Sequence, residues 1–350
     1  MDIEVVGSTA GLGASRLAPV RVRDSTPGRA DSRPGSRLLG YRFPGGAIYL
    51  LAALALCLFG FGSAWAGEGR GDRPRAVATY SVIYDFARQI AGDRAEVSSL
   101  VPVGTDPHTY EPKPGDIRRL AYADLVFYNG FNLELWFDRL VQGSGTRATI
   151  VVASQGVAPI LIRDPLSRYD GAPDPHAWMD VEHVILHYVP SIRDAFIAVD
   201  PGGAEAYRRN AARYVAELEA LDAWIRTLTL RIPPERRKLV TTENALRYFA
   251  ERYGFEVVGW IFTLAPEAEP SARRIIELIE RIQADKVPAL FVDLTLNPKL
   301  MEQISRETGV PISGALYIDT LGAPGSGADS YVGMMRANVH LLVEGLGDAR

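Results

Sequence analysis

Residues 204–232, AEAYRRNAARYVAELEALDAWIRTLTLRI, decide the fold. Their apolar side chains fall at Tyr207, Ala211, Tyr214, Leu218, Leu221, Ile225, Leu228 and Ile232. The steps alternate between four and three, the signature of one helix face. Pro201 precedes the run and Pro233-Pro234 stops it. At 1.5 Å per residue such a helix is roughly 40 Å long. A striped helix of that length is either the seam of a coiled-coil dimer or a strut packed against its own flanking segments. The flanks favour the strut.

Upstream, residues 76–80 read as a strand, 82–91 as a helix capped by Ser81 and ended by Gly92, and 95–101 as a strand. A Pro- and Gly-rich loop follows, then a helix near 116–123 and a strand over 125–128. Downstream the same order returns: a strand over 239–242, a helix over 243–253 ended by Gly254, and a strand over 256–260. A Pro-rich loop, a helix over 271–283 and a strand over 289–293 complete it. Strands alternating with helices indicate parallel sheets with βαβ crossovers. The expected fold is therefore α/β, two parallel-sheet lobes with flanking helices joined by one long rigid helix.

Composition narrows the function. The chain has 350 residues, 47% hydrophobic and 23% charged, which are globular values. Lys and Arg number 38 against 42 Asp and Glu, so no basic excess exists to cover a phosphate backbone, and nucleic acid is not an expected partner. The single cysteine, Cys57, excludes a disulfide scaffold and a cysteine-ligated metal cluster. Residues 1–46 are Arg-, Gly-, Ser- and Pro-rich. An apolar run over 47–61 and the small-x-small triplet Ala64-Trp65-Ala66 come next. The run is short for a bilayer span, so the pattern reads as a secretory signal cleaved after Ala66, with a membrane anchor as the alternative. Lipidation at Cys57 is disfavoured because Leu56, not a small residue, precedes it. The expected organisation is a signal peptide with an extended n-region over 1–66, a linker over 67–75, an N-terminal lobe over 76–203, the connecting helix over 204–232 and a C-terminal lobe over 233–350.

Five histidines are present: His108, His176, His183, His187 and His340. Two of them share one tripeptide, Asp106-Pro107-His108 and Asp174-Pro175-His176. Proline fixes its own φ and pushes the preceding residue toward an extended form, so each imidazole is presented on a stiff loop beside an orienting aspartate. That is a way to pre-position a metal ligand, whose second nitrogen wants a hydrogen-bond partner. His183 and His187 form H-x-x-x-H, a spacing that puts both on one helix face. No H-E-x-x-H glutamate accompanies them. His340 reads as structural or solvated, and Trp136, Trp178 and Trp260 as packing.

Several stretches carry a resemblance over nearly the whole chain after residue 76. They are VPVGTDPHTYEPKPGDIRRLAYADLVFYNGFNLE (101–134), DPHAWMD (174–180), TTENALRYFAERYG (241–254), FVDLTLNPKLMEQISRETGV (291–310) and GADSYVGMMRANVHLLVEGL (327–346). The chain resembles the cluster A-I (cluster 9) substrate-binding proteins of ABC importers for manganese, zinc and iron. The resemblance implies one divalent ion held between the lobes by four side chains: His108, His176, Glu243 at the position that is His in zinc importers, and Asp329 before the terminal helix. Glu243 is read as beginning a helix directly after a strand, and Asp329 as following a Gly-rich loop at a helix start, where an aspartate also serves as a cap. Two imidazoles and two carboxylates suit Mn²⁺ or Fe²⁺, whereas a third histidine would suit Zn²⁺. The His-rich loop of many zinc importers is absent after His108, where the sequence reads TYEPKPGD.

The expected function is a periplasmic metal receptor, not an enzyme, that delivers Mn²⁺, or next Fe²⁺, to the permease of an ABC importer; a monomer is expected. Zn²⁺ is the alternative ion. A secreted metallohydrolase is the alternative from another class, but no H-E-x-x-H, G-x-S-x-G elbow or P-loop is present. A surface adhesin would want an outer-surface anchor, and none is evident.

Overall fold

The computed structural model describes residues 73–165, 167–264 and 270–347. The apolar run, Cys57 and the cleavage motif at Ala66 lie outside the described residues. None of the helices among the described residues is long and apolar enough to cross a membrane.

The first half of the described chain is built on β1 (Arg75–Ala78), β2 (Glu96–Ser99), β3 (Leu125–Tyr128) and β4 (Thr149–Val152). These form one sheet in the order β2-β1-β3-β4, every neighbouring pair parallel. Helices α1 (Ser81–Ala91), α2 (Pro114–Ala121) and α3 (Phe137–Ser144) make the crossovers. Parallel strands need such crossovers, and both sheet faces are then covered, so the strands read as apolar runs. Val77, Leu125, Val126 and Phe127 are all buried. After β4 the chain runs through a long loop, a helical turn at Val181–His183, a π-helical turn at Val184–Tyr188 and α4 (Val189–Val199).

Helix α5 spans Ala204–Thr229. All seven of its stripe residues, Tyr207 to Leu228, are buried, as is Ile232 beyond its end. The stripe packs within its own chain, on α1, α4 and the terminal helix α9 (Tyr331–Leu346), rather than being offered as a dimer seam. One apolar core runs from Ala76 through this helix to Leu346. The helix closes three residues earlier than its apolar period suggests. The amides of Arg231 and Ile232 turn back to the carbonyls of Leu228 and Thr229 before the prolines.

The second half holds two parallel pairs, β5 (Lys238–Glu243) with β6 (Glu256–Phe262), and β7 (Leu290–Asp293) with β8 (Ile312–Leu316). Between them run α6 (Arg247–Tyr253), α7 (Ala272–Ala284) and α8 (Lys299–Thr308). Thr242 Oγ1 accepts from the amide of Asp293, which sets the ends of β5 and β7 side by side.

Two local expectations change. Glu243 does not begin a helix: it is the last residue of β5, paired with Phe262, and α6 starts only at Arg247. The ladder even continues one step, from Asn244 N to Phe262 O at 3.0 Å. Ser81 is the first residue of α1, not its cap, and its hydroxyl accepts from Leu321 N at 3.0 Å.

Candidate metal centre

His108 lies in the loop after β2, His176 in the long loop after β4, Glu243 at the end of β5, and Asp319 three residues past β8. Parallel α/β sheets form ligand crevices outside the carboxyl ends of their strands. His108, His176, Glu243 and Asp319 are buried, and one donor atom from each falls within 4.8 Å of all the others.

The two D-P-H loops adopt the same turn. Asp106 Oδ1 accepts from His108 N at 2.7 Å, and Asp174 Oδ1 accepts from His176 N at 3.0 Å. An aspartate bonding the backbone two residues on is an Asx turn, and the proline between stiffens it. The loops then diverge. Asp174 Oδ1 also takes His176 Nδ1 at 2.8 Å, which leaves Nε2 to face the cluster. Asp106 Oδ2 instead takes the hydroxyl of Thr109 at 3.0 Å.

His108 Nε2 lies 3.4 Å from His176 Nε2, 3.4 Å from Glu243 Oε1 and 3.9 Å from Asp319 Oδ2. His176 Nε2 lies 3.7 Å from Glu243 Oε1 and 3.5 Å from Asp319 Oδ1. Asp319 thus turns a different oxygen toward each imidazole. A tetrahedron with edges of about 3.5 Å has its centre about 2.1 Å from each corner, the length of a metal–nitrogen or metal–oxygen bond.

Burial, and then the neighbouring His176, hold His108 well below the ordinary imidazole range. For His176 burial acts in the same sense, but the hydrogen bond and charge of Asp174, helped by Glu243 and Asp293, outweigh it and raise the ring. Burial pushes the Asp319 carboxyl well above its usual range, and Glu243, Asp293, Asp106 and Asp174 push it further. Neither oxygen of Asp319 has a hydrogen-bond partner. A buried carboxylate without a partner is costly, and a cation at the centre of the cluster is the group that offsets it.

The structure brings His108, His176 and Glu243 together but not Asp329. Asp329 is exposed, and its carboxylate accepts from Gly325 N at 2.8 Å within the Gly-rich loop. The cap of α9 is Ser330, whose hydroxyl accepts from Gly333 N. The fourth member is Asp319, ten residues earlier. Asp319 stands just past the end of β8, as Glu243 stands at the end of β5.

Two of the three tryptophans read as packing, Trp136 and Trp178, brace the loops. Trp136 Nε1 donates to Pro107 O at 2.7 Å. Trp178 lies against the His176 ring at 5.2 Å between centroids and donates to Ile318 O at 3.2 Å, beside Asp319. Asn129 Nδ2 donates to Pro175 O at 2.9 Å, and Tyr248 OH donates to Asp174 O at 2.8 Å. His340 stands edge-on to Trp224 and has no part in the cluster.

Residues 76–345 match the family described as ZnuA, zinc-uptake complex component A, periplasmic. The chain belongs to this family. Among other ZnuA relatives, it is 38% identical over 299 residues to the manganese-binding lipoprotein MntA of Halalkalibacterium halodurans, covering 85% of this chain and 97% of that one. It is 36% identical over 273 residues to the iron-binding protein YfeA of Yersinia pestis, covering 78% and 86%. The fold matches the periplasmic zinc binding protein TroA from Treponema pallidum with a TM-score of 0.72 at 30% identity, over 79% of this chain and all of that one. ZnuA-type proteins are substrate-binding transport proteins and not enzymes.

Proposed function

We propose that the protein captures one divalent ion, Mn²⁺ or Fe²⁺, with His108, His176, Glu243 and Asp319, and delivers it to the membrane permease of an ABC importer. The observation that carries this reading is the convergence of four buried donors, from three loops and the end of β5, onto one point. Two neutral imidazoles and two carboxylates carry a charge of −2 and balance a divalent ion. The split presentation of Asp319, one oxygen toward each ring, suits two-oxygen coordination and hence more than four donors. Oxygen-rich sites suit Mn²⁺ and Fe²⁺ over tetrahedral Zn²⁺. Raw affinity still favours Zn²⁺ in such a set.

Release requires the loops to part. Gly104 N donates to Thr320 Oγ1 at 2.7 Å, and Arg274 pairs with Asp164 at 2.8 Å, each joining the first half to the second. Breaking such ties is work that a docked permease can supply.

We further propose export with cleavage after Ala66 and a monomeric mature chain. Intact mass of the exported protein tests the first, since a lipoprotein would begin at Cys57. Elemental analysis of protein taken from its native compartment without chelators tests the cargo. About one Mn or Fe per chain is expected. A protein that arrives empty and takes up no ion on titration refutes the reading.

A further inference from the structure

Outside the four-donor cluster, the H-x-x-x-H pair is the strongest grouping of metal-ligating side chains. His183 closes the turn Val181–His183, and His187 sits in the π-helical turn that follows. π-helical turns are rare and recur at functional sites. The two rings are neighbours, with centroids 5.8 Å apart and planes at 59°. Asp180, capping the same turn, brings Oδ2 to 4.0 Å from His183 Nε2. His183 Nδ1 is buried without a hydrogen-bond partner. Both histidines are half-buried, so an ion can reach them from solvent. His187 also opens onto a cavity of about 340 Å³ shared with Gln155, Ser191 and Asp194. A structural histidine normally spends its ring nitrogens on protein partners. Neither of these rings does so among the described residues. Burial, and then the adjacent His183, hold His187 below its ordinary value, which keeps it in the neutral form that binds metals.

We propose that His183 and His187 form a second and weaker metal site that takes imidazole-preferring ions such as Zn²⁺, Cu²⁺ or Ni²⁺ and passes over Mn²⁺. Two imidazoles suit borderline ions, whereas Mn²⁺ wants an oxygen-rich shell. The proposal does not depend on the cargo of the first site.

The test is titration calorimetry with Zn²⁺ and separately with Mn²⁺ on tag-free mature protein, read as ions bound per chain. Wild type is expected to take two Zn²⁺, one tightly and one weakly, but a single Mn²⁺. His187→Gln and His183→Gln should each reduce Zn²⁺ to one per chain and leave Mn²⁺ affinity unchanged, which also shows that the variants are folded. Glu243→Ala should abolish Mn²⁺ binding while retaining the weak Zn²⁺ event. A Cu²⁺ spectrum of Glu243→Ala with nitrogen coupling that His187→Gln removes would agree. A single Zn²⁺ on wild type, or a second Zn²⁺ that survives both glutamine variants, overturns the inference. Loss of the tight event alone would instead count against the four-donor site.

Discussion

Asp319→Ala tests whether the buried aspartate of the four-donor cluster holds the ion. The side chain is buried, has no hydrogen-bond partner, and holds its two oxygens 3.5 Å and 3.9 Å from the two imidazoles. Removing one member of a buried, charge-compensated set costs about 3–5 kcal/mol, which is a loss of roughly 150- to 5,000-fold in affinity. The cost falls on the metal-bound state alone. In the metal-free chain the same carboxylate is an uncompensated buried acid, so its removal should leave the apo melting temperature unchanged or raise it. Mn²⁺ at a thousandfold excess over Kd stabilises the wild type by about 4 kcal/mol, or roughly 7 °C for a chain of this size. Asp319→Ala should lose that shift. Asp329→Ala is the paired control. Its carboxylate is exposed and holds one loop amide, so the variant should bind Mn²⁺ within about twofold of wild type and lose under 1 kcal/mol of stability. Calorimetry with Mn²⁺ and melting curves with and without the ion read both effects. Wild-type affinity in Asp319→Ala, or lost binding in Asp329→Ala, would refute the assignment.

Other outcomes follow from neighbouring contacts. Asp174→Asn keeps an acceptor for His176 N but removes the charge that orients and raises the ring, so Mn²⁺ affinity should fall about 10- to 100-fold; a change below threefold would show that His176 orients itself. Glu134, a buried carboxyl, is pushed by burial from 4.5 to about 7, against hydrogen bonds from Asn129 N and Thr79 Oγ1. Between those values the folded chain holds a proton that the unfolded chain has released, so stability falls as pH rises through that window, by on the order of 3 kcal/mol. Denaturant unfolding at pH 5 and pH 8 should show this slope flattened in Glu134→Gln, and an unchanged slope would remove Glu134 as its source. Arg252 grips both oxygens of Asp222 on α5 at 3.1 Å each and also meets Glu182 and Asp180. Arg252→Met should therefore cost about 2 kcal/mol in thermal unfolding, whereas a melting temperature within a degree of wild type would show the grip to be idle.

The stripe from Tyr207 to Leu228 was legible because a helix repeats every 3.6 residues whatever surrounds it, and every one of those residues is buried. Strand–helix alternation likewise announced the parallel sheets, and the doubled D-P-H tripeptide announced two pre-positioned imidazoles, because proline and aspartate act on their own backbone. The end of β5 was not legible. Glu243 belongs to the strand only because Phe262 lies opposite, and that partner is set by the packing of β6. The resemblance pointed to Asp329, ten residues past the aspartate that the structure places in the cluster. Asp319 joins the cluster because β8 carries it to the strand-end crevice, with Trp178 holding the carbonyl beside it, while the Gly-rich loop leaves Asp329 in solvent. Local chemistry thus marked the two imidazoles, and the resemblance marked Glu243 beside them. Only the tertiary structure decided which of them meet, since a site of 4.8 Å assembled from positions 108 to 319 is set by long-range packing that no local period records.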